Sequence, residues 1–206
     1  MIKTRNIIEI KERIKQLKTE SGSHSPSIAT LLKEIPELNV DVDACFLSNP
    51  YATDLFMKYL DKDLIQSGKL KEVLEYYPPQ VYDVRKHIAK KTSISAENIF
   101  VGNGAIEIIQ AIMHRFVKTN ICVILPTFSS YYEFANEETE VIYYHLKKEE
   151  NFQLNIDDYL QFIKDNNIKN AVIINPNNPN GGYLSIEETD KLIKGLRHLD
   201  NLILDE

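Results

Sequence analysis

The chain has 206 residues, with 24 Lys+Arg against 30 Asp+Glu, a net charge of −6 at pH 7, and 43% hydrophobic residues. That balance describes a globular protein able to bury a core and excludes a disordered or fibrous chain. The acidic surplus argues against nucleic acid as a main partner, because neutralising phosphates needs a basic face.

Ile7, Ile8, Ile10, Ile14 and Leu17 recur near helical spacing among Lys and Glu, so residues 7–18 read as an amphipathic helix. The run Ser21-Gly-Ser-His-Ser-Pro26 breaks it. A short helix is expected over Ser27–Lys33 and a loop over Asp41–Tyr51. This first stretch, with so few apolar residues, reads as an arm. Helical patterns follow at 53–66 and 80–91. Then strands and helices alternate. Ile99–Val101 reads as a strand, Ala105–Phe116 as a helix, Ile121–Leu125 as a strand and 129–137 as a helix. Val141–His145, Ala171–Ile174 and Asn201–Leu204 read as strands, with helices at Ile156–Lys164 and 185–198 between them. Ser185 and Glu188 stand at capping-box spacing. Alternation of this kind predicts an α/β fold: a mainly parallel sheet with helices on both faces, three layers α/β/α.

No segment is apolar for long enough to span a bilayer. The first 13 residues lack the apolar core of a signal peptide. Cys45 and Cys122 are the only cysteines, which fits a reducing compartment, so a cytoplasmic location is expected with no membrane partner. The five histidines are scattered, and no metal site is expected. The chain stops at Asp205-Glu206, on the carboxyl end of its last predicted strand and without a covering helix. Both faces of such a sheet need helix cover and functional residues lie at strand carboxyl ends, so a chain ending there is expected to be truncated, the alternative being a natural terminal edge strand.

Several short motifs sit at those ends. Val101-Gly-Asn-Gly-Ala105 runs from a predicted strand into a helix; it is either a tight turn or a phosphate cup built of free amides. Phe128 follows a strand, where it is either a core aromatic or a ring stacked on a flat ligand. Asn175-Pro-Asn-Asn-Pro-Asn-Gly-Gly182 is a turn-forming run whose two Asn-Pro steps make a rigid loop with side-chain amides to offer. Asp205 is either a solvated strand tip or the partner of a buried cation.

Taken in order, Asn49-Pro-Tyr51, Tyr77-Pro78, Gly102-Asn-Gly104, Pro126-Thr-Phe128, Asn175-Pro-Asn-Asn-Pro179 and Leu204-Asp-Glu206 resemble the class I/II aminotransferases of fold type I. The pattern is most similar to the histidinol-phosphate aminotransferase branch, with threonine-phosphate decarboxylase nearby. It runs from about residue 45 to the end.

The resemblance implies pyridoxal 5′-phosphate as cofactor. It also implies a homodimer when full length, and amino-group transfer between an amino acid and a 2-oxo acid. The alternatives are decarboxylation of an O-phosphorylated amino acid, or a non-catalytic nucleotide-binding module. Residues 1–52 would form the arm and substrate-side loop, and 53–206 the amino-terminal part of the cofactor-binding large domain. Asp205 would keep the pyridine nitrogen protonated, which the cofactor needs to act as an electron sink. By the same resemblance Asn178 meets the 3′-oxygen and Phe128 stacks on the ring. Gly104, Ala105 and Ile106 form the phosphate cup, and Tyr77 reaches the partner subunit's phosphate. Asn49 and Tyr51 lie on the substrate side. Ala105-Ile106 departs from the family by offering only backbone amides, and Asn180 stands where a Thr is usual. The Schiff-base lysine is expected beyond Glu206, so the chain reads as the amino-terminal half of such an enzyme. Two geometric expectations follow: the cofactor-facing residues converge at one end of the sheet, and Asn178–Pro179 is a candidate cis bond.

Overall fold

The computed structural model describes residues 2–21, 25–42, 49–77 and 81–206, and the chain divides into two compact units, Met1–Pro79 and Gln80–Glu206. Cys45 lies outside the described residues.

The first unit is helical. Helix α1 spans Ile2–Glu20, longer than its apolar pattern. Its Leu17 is buried, but Ile7 and Ile8 are exposed, so the apolar stripe predicted for this helix is covered only toward its carboxyl end. Arg13 reaches Glu34 of helix α2 (Ile28–Glu34) at 2.6 Å. Ser27 caps α2, its hydroxyl accepting from the Thr30 amide. Helix α3 (Pro50–Tyr59) begins inside the stretch expected to be loop. The reason is local: Asn49 Oδ1 accepts from the Ala52 amide at 3.2 Å, and Pro50 fills the first helical position, where no N–H is needed. A π-helical turn, Leu60–Ile65, continues it. Gly68, at φ +77°, then re-aims the chain into helix α4 (Lys69–Glu75).

The second unit is the α/β body. It opens with helix α5 (Val81–Thr92). Four strands, β1 (Asn120–Leu125), β2 (Glu140–His145), β3 (Asn170–Ile174) and β4 (Asn201–Asp205), form one parallel sheet in the order β2-β1-β3-β4. Helices α6 (Ala105–Arg115) and α7 (Ser130–Glu133) cover one face, and α8 (Ile156–Asp165) and α9 (Ile186–Gly195) the other.

Strand alternation separates the two cores. Ile121, Val123 and Val172 point into the first, with Ile109, Met113, Val117 and Tyr131. Cys122, Ile124, Ala171 and Ile173 point into the second, with Tyr159, Ile163, Leu192 and Leu196. Burial on both faces is why β1 and β3 are nearly continuous apolar runs. Desolvation pushes the Cys122 thiol up to about 12. The capping box of α9 is present in full: the Ser185 hydroxyl accepts from Glu188 N, and Glu188 Oε2 from Ser185 N.

Two expectations fail here. Ile99–Val101 is no strand. Ile99 has extended dihedrals (φ −113°, ψ 124°), but the segment joins no ladder among the described residues, and Phe100 stays exposed. An apolar run becomes a strand only when a neighbouring strand takes its N–H and C=O groups. The helix expected over 129–137 is one turn, Ser130–Glu133, closed by bonds from Phe134 N to Ser130 O and from Ala135 N to Tyr132 O. Among the described residues, no helix is long and apolar enough to cross a membrane.

Candidate active site

All four strands are parallel, so their carboxyl ends share one edge. Ile174 stands beside Asp205 in register, and the Asn175 amide donates to Asp205 O at 2.9 Å, carrying the pairing one residue past β3. Helix α6 runs against the strands. Just past its carboxyl end, Phe116 O accepts from Asn201 Nδ2 at the start of β4, and Val117 O accepts from Thr139 Oγ1 just before β2. Its eleven residues measure about 16 Å, most of the ~20 Å length of β1, so Gly104–Ile106 lie toward the carboxyl edge.

The turn into α6 is shaped by glycine. Gly104 has φ +89° and ψ 166°, a region that residues with a Cβ rarely enter. At Gly102 an added Cβ would lie 2.9 Å from Ile108 Cγ1, so any side chain there would force Ile108 to shift. The first amides of a helix have no partner within it. Here the Glu107 carboxylate folds back to accept from the Asn103 amide, and among the described residues no side chain caps the helix. The amides of Ala105 and Ile106 remain for a ligand.

The loop after β3 is built differently. Asn175 bridges to Leu184 with both ends of its amide, Nδ2 donating to Leu184 O at 3.0 Å and Oδ1 accepting from Leu184 N at 2.8 Å. Asn177 Nδ2 donates to Pro126 O at 3.0 Å and to Asn180 Oδ1 at 2.7 Å, tying the loop after β3 to the loop after β1. Asn180 Nδ2 donates in turn to Phe152 O at 2.7 Å. The loop closes on itself through Asn177 N to Gly182 O and Gly181 N to Asn177 O. Asn178 is left over: it is exposed, and no hydrogen bond engages its side chain among the described residues. The Asn178–Pro179 bond is cis, as are Leu125–Pro126 and Asn175–Pro176.

Phe128 is half-buried, packed against the α6/α7 core. Asp205 is half-buried at the tip of β4 and accepts a hydrogen bond at Oδ2 from the Tyr131 hydroxyl, at 2.9 Å. Burial, then the bond to Asp205 and its charge, push the Tyr131 phenol well above its usual value, so it stays protonated as a donor. Tyr131, Asn177 and Glu107 were not among the residues singled out from sequence. Nothing in a lone Tyr, a third Asn or a helical Glu distinguishes them until the fold brings their partners near.

The structure thus brings Gly104–Ile106, Phe128, Asn178 and Asp205 to one edge of the second unit. Asn49, Tyr51 and Tyr77 belong to the first unit; Asn49 caps α3, and Tyr51 and Tyr77 are exposed. A separate small pocket of about 30 Å³ opens on the α8/α9 side of the β3 loop, between Ile124, Phe152, Leu154 and Tyr183; none of the candidate cofactor residues lines it.

Residues 48–205 match the sequence profile of the family "Aminotransferase class I and II". The L-serine phosphate decarboxylase of Campylobacter jejuni is 54% identical over 197 residues, 96% of this chain and 50% of that protein. The histidinol-phosphate aminotransferase of Pelagibacter ubique is 33% identical over 148 residues, 70% of this chain and 40% of that protein. A solved decarboxylase structure from Sulfurospirillum multivorans matches with a TM-score of 0.86 and 41% identity, over 100% of this chain and 53% of that one. The chain spans about half the length of the curated relatives it matches. With its parallel sheet, its glycine turn and its Asn-Pro loop in the family's order, the chain belongs to the class I and II aminotransferases, a family dependent on pyridoxal 5′-phosphate.

Proposed function

We propose that the full-length protein is a decarboxylase of an O-phosphorylated L-amino acid, O-phospho-L-serine first among them. The observation that carries this reading is the 54% identity to an L-serine phosphate decarboxylase across 96% of the chain. What stands of the amino-transfer expectation is membership of the family; the histidinol-phosphate aminotransferase is 33% identical over 70% of the chain, well below the decarboxylase.

The carboxyl edge fits the cofactor by its donor set. It offers a carboxylate for a pyridinium, a half-buried aromatic face, unpaired amides at a helix start and one uncommitted side-chain amide. When bound, pyridoxal 5′-phosphate supplies the electron sink that takes up the pair released as the bond to the substrate carboxylate breaks. In this reading Asp205 holds the proton on the pyridine nitrogen, as an anion beside a cation favours the charged form. The amides of Ala105 and Ile106 take phosphate oxygens at the positive end of the α6 dipole. Phe128 covers one face of the ring, and Asn178, which the loop leaves free, donates to the 3′-oxygen. Asn49 and Tyr51 face the substrate. Tyr77 reaches the phosphate site of a second subunit, so the full-length protein is a homodimer in this reading.

The assay is direct. The full-length gene product supplied with O-phospho-L-serine should release CO₂ and form O-phosphoethanolamine, the α-carbon gaining a proton where the carboxylate left. Transfer of the amino group to a 2-oxo acid without CO₂ release would restore the aminotransferase reading. For the assembly, light scattering should give a dimer, and Tyr77→Phe should weaken cofactor retention. A fully active monomer would refute that part.

A further inference from the structure

We infer that Tyr131 is a positioning residue for Asp205: its hydroxyl holds one carboxylate oxygen, Oδ2, and leaves Oδ1 as the acceptor offered to the cofactor's pyridine nitrogen. This rests on the pyridoxal-phosphate reading above and deepens it.

Three observations support it. First, the contact is made from a rigid place. Tyr131 is 2% exposed, its ring set in the core with Ile109, Met113, Val123 and Val172. The turn that carries it is closed by bonds from Tyr132 N and Glu133 N to Ser129 O, and Ser130 is buried. Second, the carboxylate needs such a holder. Among the described residues no other hydrogen bond reaches the Asp205 side chain. Its backbone is fixed by Asn175 N, and among the described residues the phenol is the one hydrogen-bond partner that orients its side chain. Third, the donor stays a donor. Burial and the neighbouring carboxylate push the Tyr131 phenol above its usual value and favour its protonated, donating form. A hydrogen bond to the charged form favours that form, so the contact both orients the carboxylate and helps keep it an anion.

A double-mutant cycle on equilibrium binding of pyridoxal 5′-phosphate to the full-length gene product tests this. Tyr131→Phe keeps the ring and removes the hydroxyl; it should weaken binding roughly tenfold. In an Asp205→Asn background the same substitution should change affinity little. A tyrosine that merely supports the fold would weaken binding in both backgrounds, and that result would overturn the inference. The second readout leaves Tyr131 in place. With ring-labelled tyrosine followed by NMR, Asp205→Asn should lower the Tyr131 ionisation, with burial still holding it above the usual value. If it does not move, the contact is not made in solution and the inference is wrong, whether or not Tyr131→Phe folds. Failure of the underlying reading looks different: the unsubstituted protein would not bind the cofactor, or Asp205→Asn would bind it as tightly, and the inference would fall with it.

Discussion

The loop after β3 and the turn before α6 deliver polar groups to the same edge of the sheet by opposite means. The loop is held by its side chains. Asn175, Asn177 and Asn180 are each committed to backbone or side-chain partners, and Asn178 alone is left to meet a ligand. The turn is held by its backbone. Gly104 takes a conformation that only glycine adopts easily, Gly102 gives close approach to Ile108, and the ligand groups are the amides themselves. One segment therefore depends on amide side chains and the other on their absence. Similar asparagines in one short run have unequal roles, which composition does not reveal.

Substitutions should separate the two cases. The largest effect is expected at Asn175→Ala, which strips both the donor and the acceptor from Leu184, a residue 9% exposed. Leaving those backbone groups without partners should cost about 2–4 kcal/mol, read as a lower urea midpoint at unchanged slope. Asn178→Ala in the same loop should leave stability unchanged and weaken only cofactor binding. Equal destabilisation by the two would erase the distinction. Gly104→Ala comes next. Nothing lies within 4 Å of the added Cβ, so the cost is backbone strain, about 1–3 kcal/mol, concentrated at the turn. If Gly104→Ala is neutral, the turn is not set by its glycine.

The sheet beneath both segments offers a third test. The Cys122 thiol is raised from 9.0 to about 12 because the folded state buries it. A raised acid binds its proton more tightly in the folded state, so its stabilisation is complete below pH 9 and is lost as pH rises toward 12. By pH 10 the loss should be about 1.4 kcal/mol. Cys122→Ala should flatten that part of the stability–pH curve, and an unchanged slope would show that the thiol is not buried as described. The smallest effect is expected at Glu107→Gln. Removing the charge that folds onto the Asn103 amide should tighten inorganic phosphate at the turn a few-fold, with the gain fading as salt is raised. Weaker phosphate binding would mean that Glu107 shapes the cup and does not compete for it.

Much of the body was legible in the residues because it is locally encoded. The apolar runs of β1 and β3, the period of α6 and α8, and the capping box at Ser185–Glu188 each lie within a dozen residues. The carboxyl-edge placement of Phe128, the Asn-Pro loop and Asp205 followed from the alternation, since parallel strands must end on the same side. The arm was less legible: Asn49 caps a helix in a stretch that composition reads as loop.

The sequence by itself determined the α/β class, the positions of four strands and the family to which the motifs belong. Tertiary structure decided what depends on groups far apart in the chain. Ile99–Val101 has a strand's residues without a strand's ladder, because pairing is a property of two segments. The Asn177 amide meets Pro126 O across 51 positions. Tyr131 meets Asp205 across 74, a contact that exists only once the sheet's order and register set β4 beside β3 and α7 above their ends.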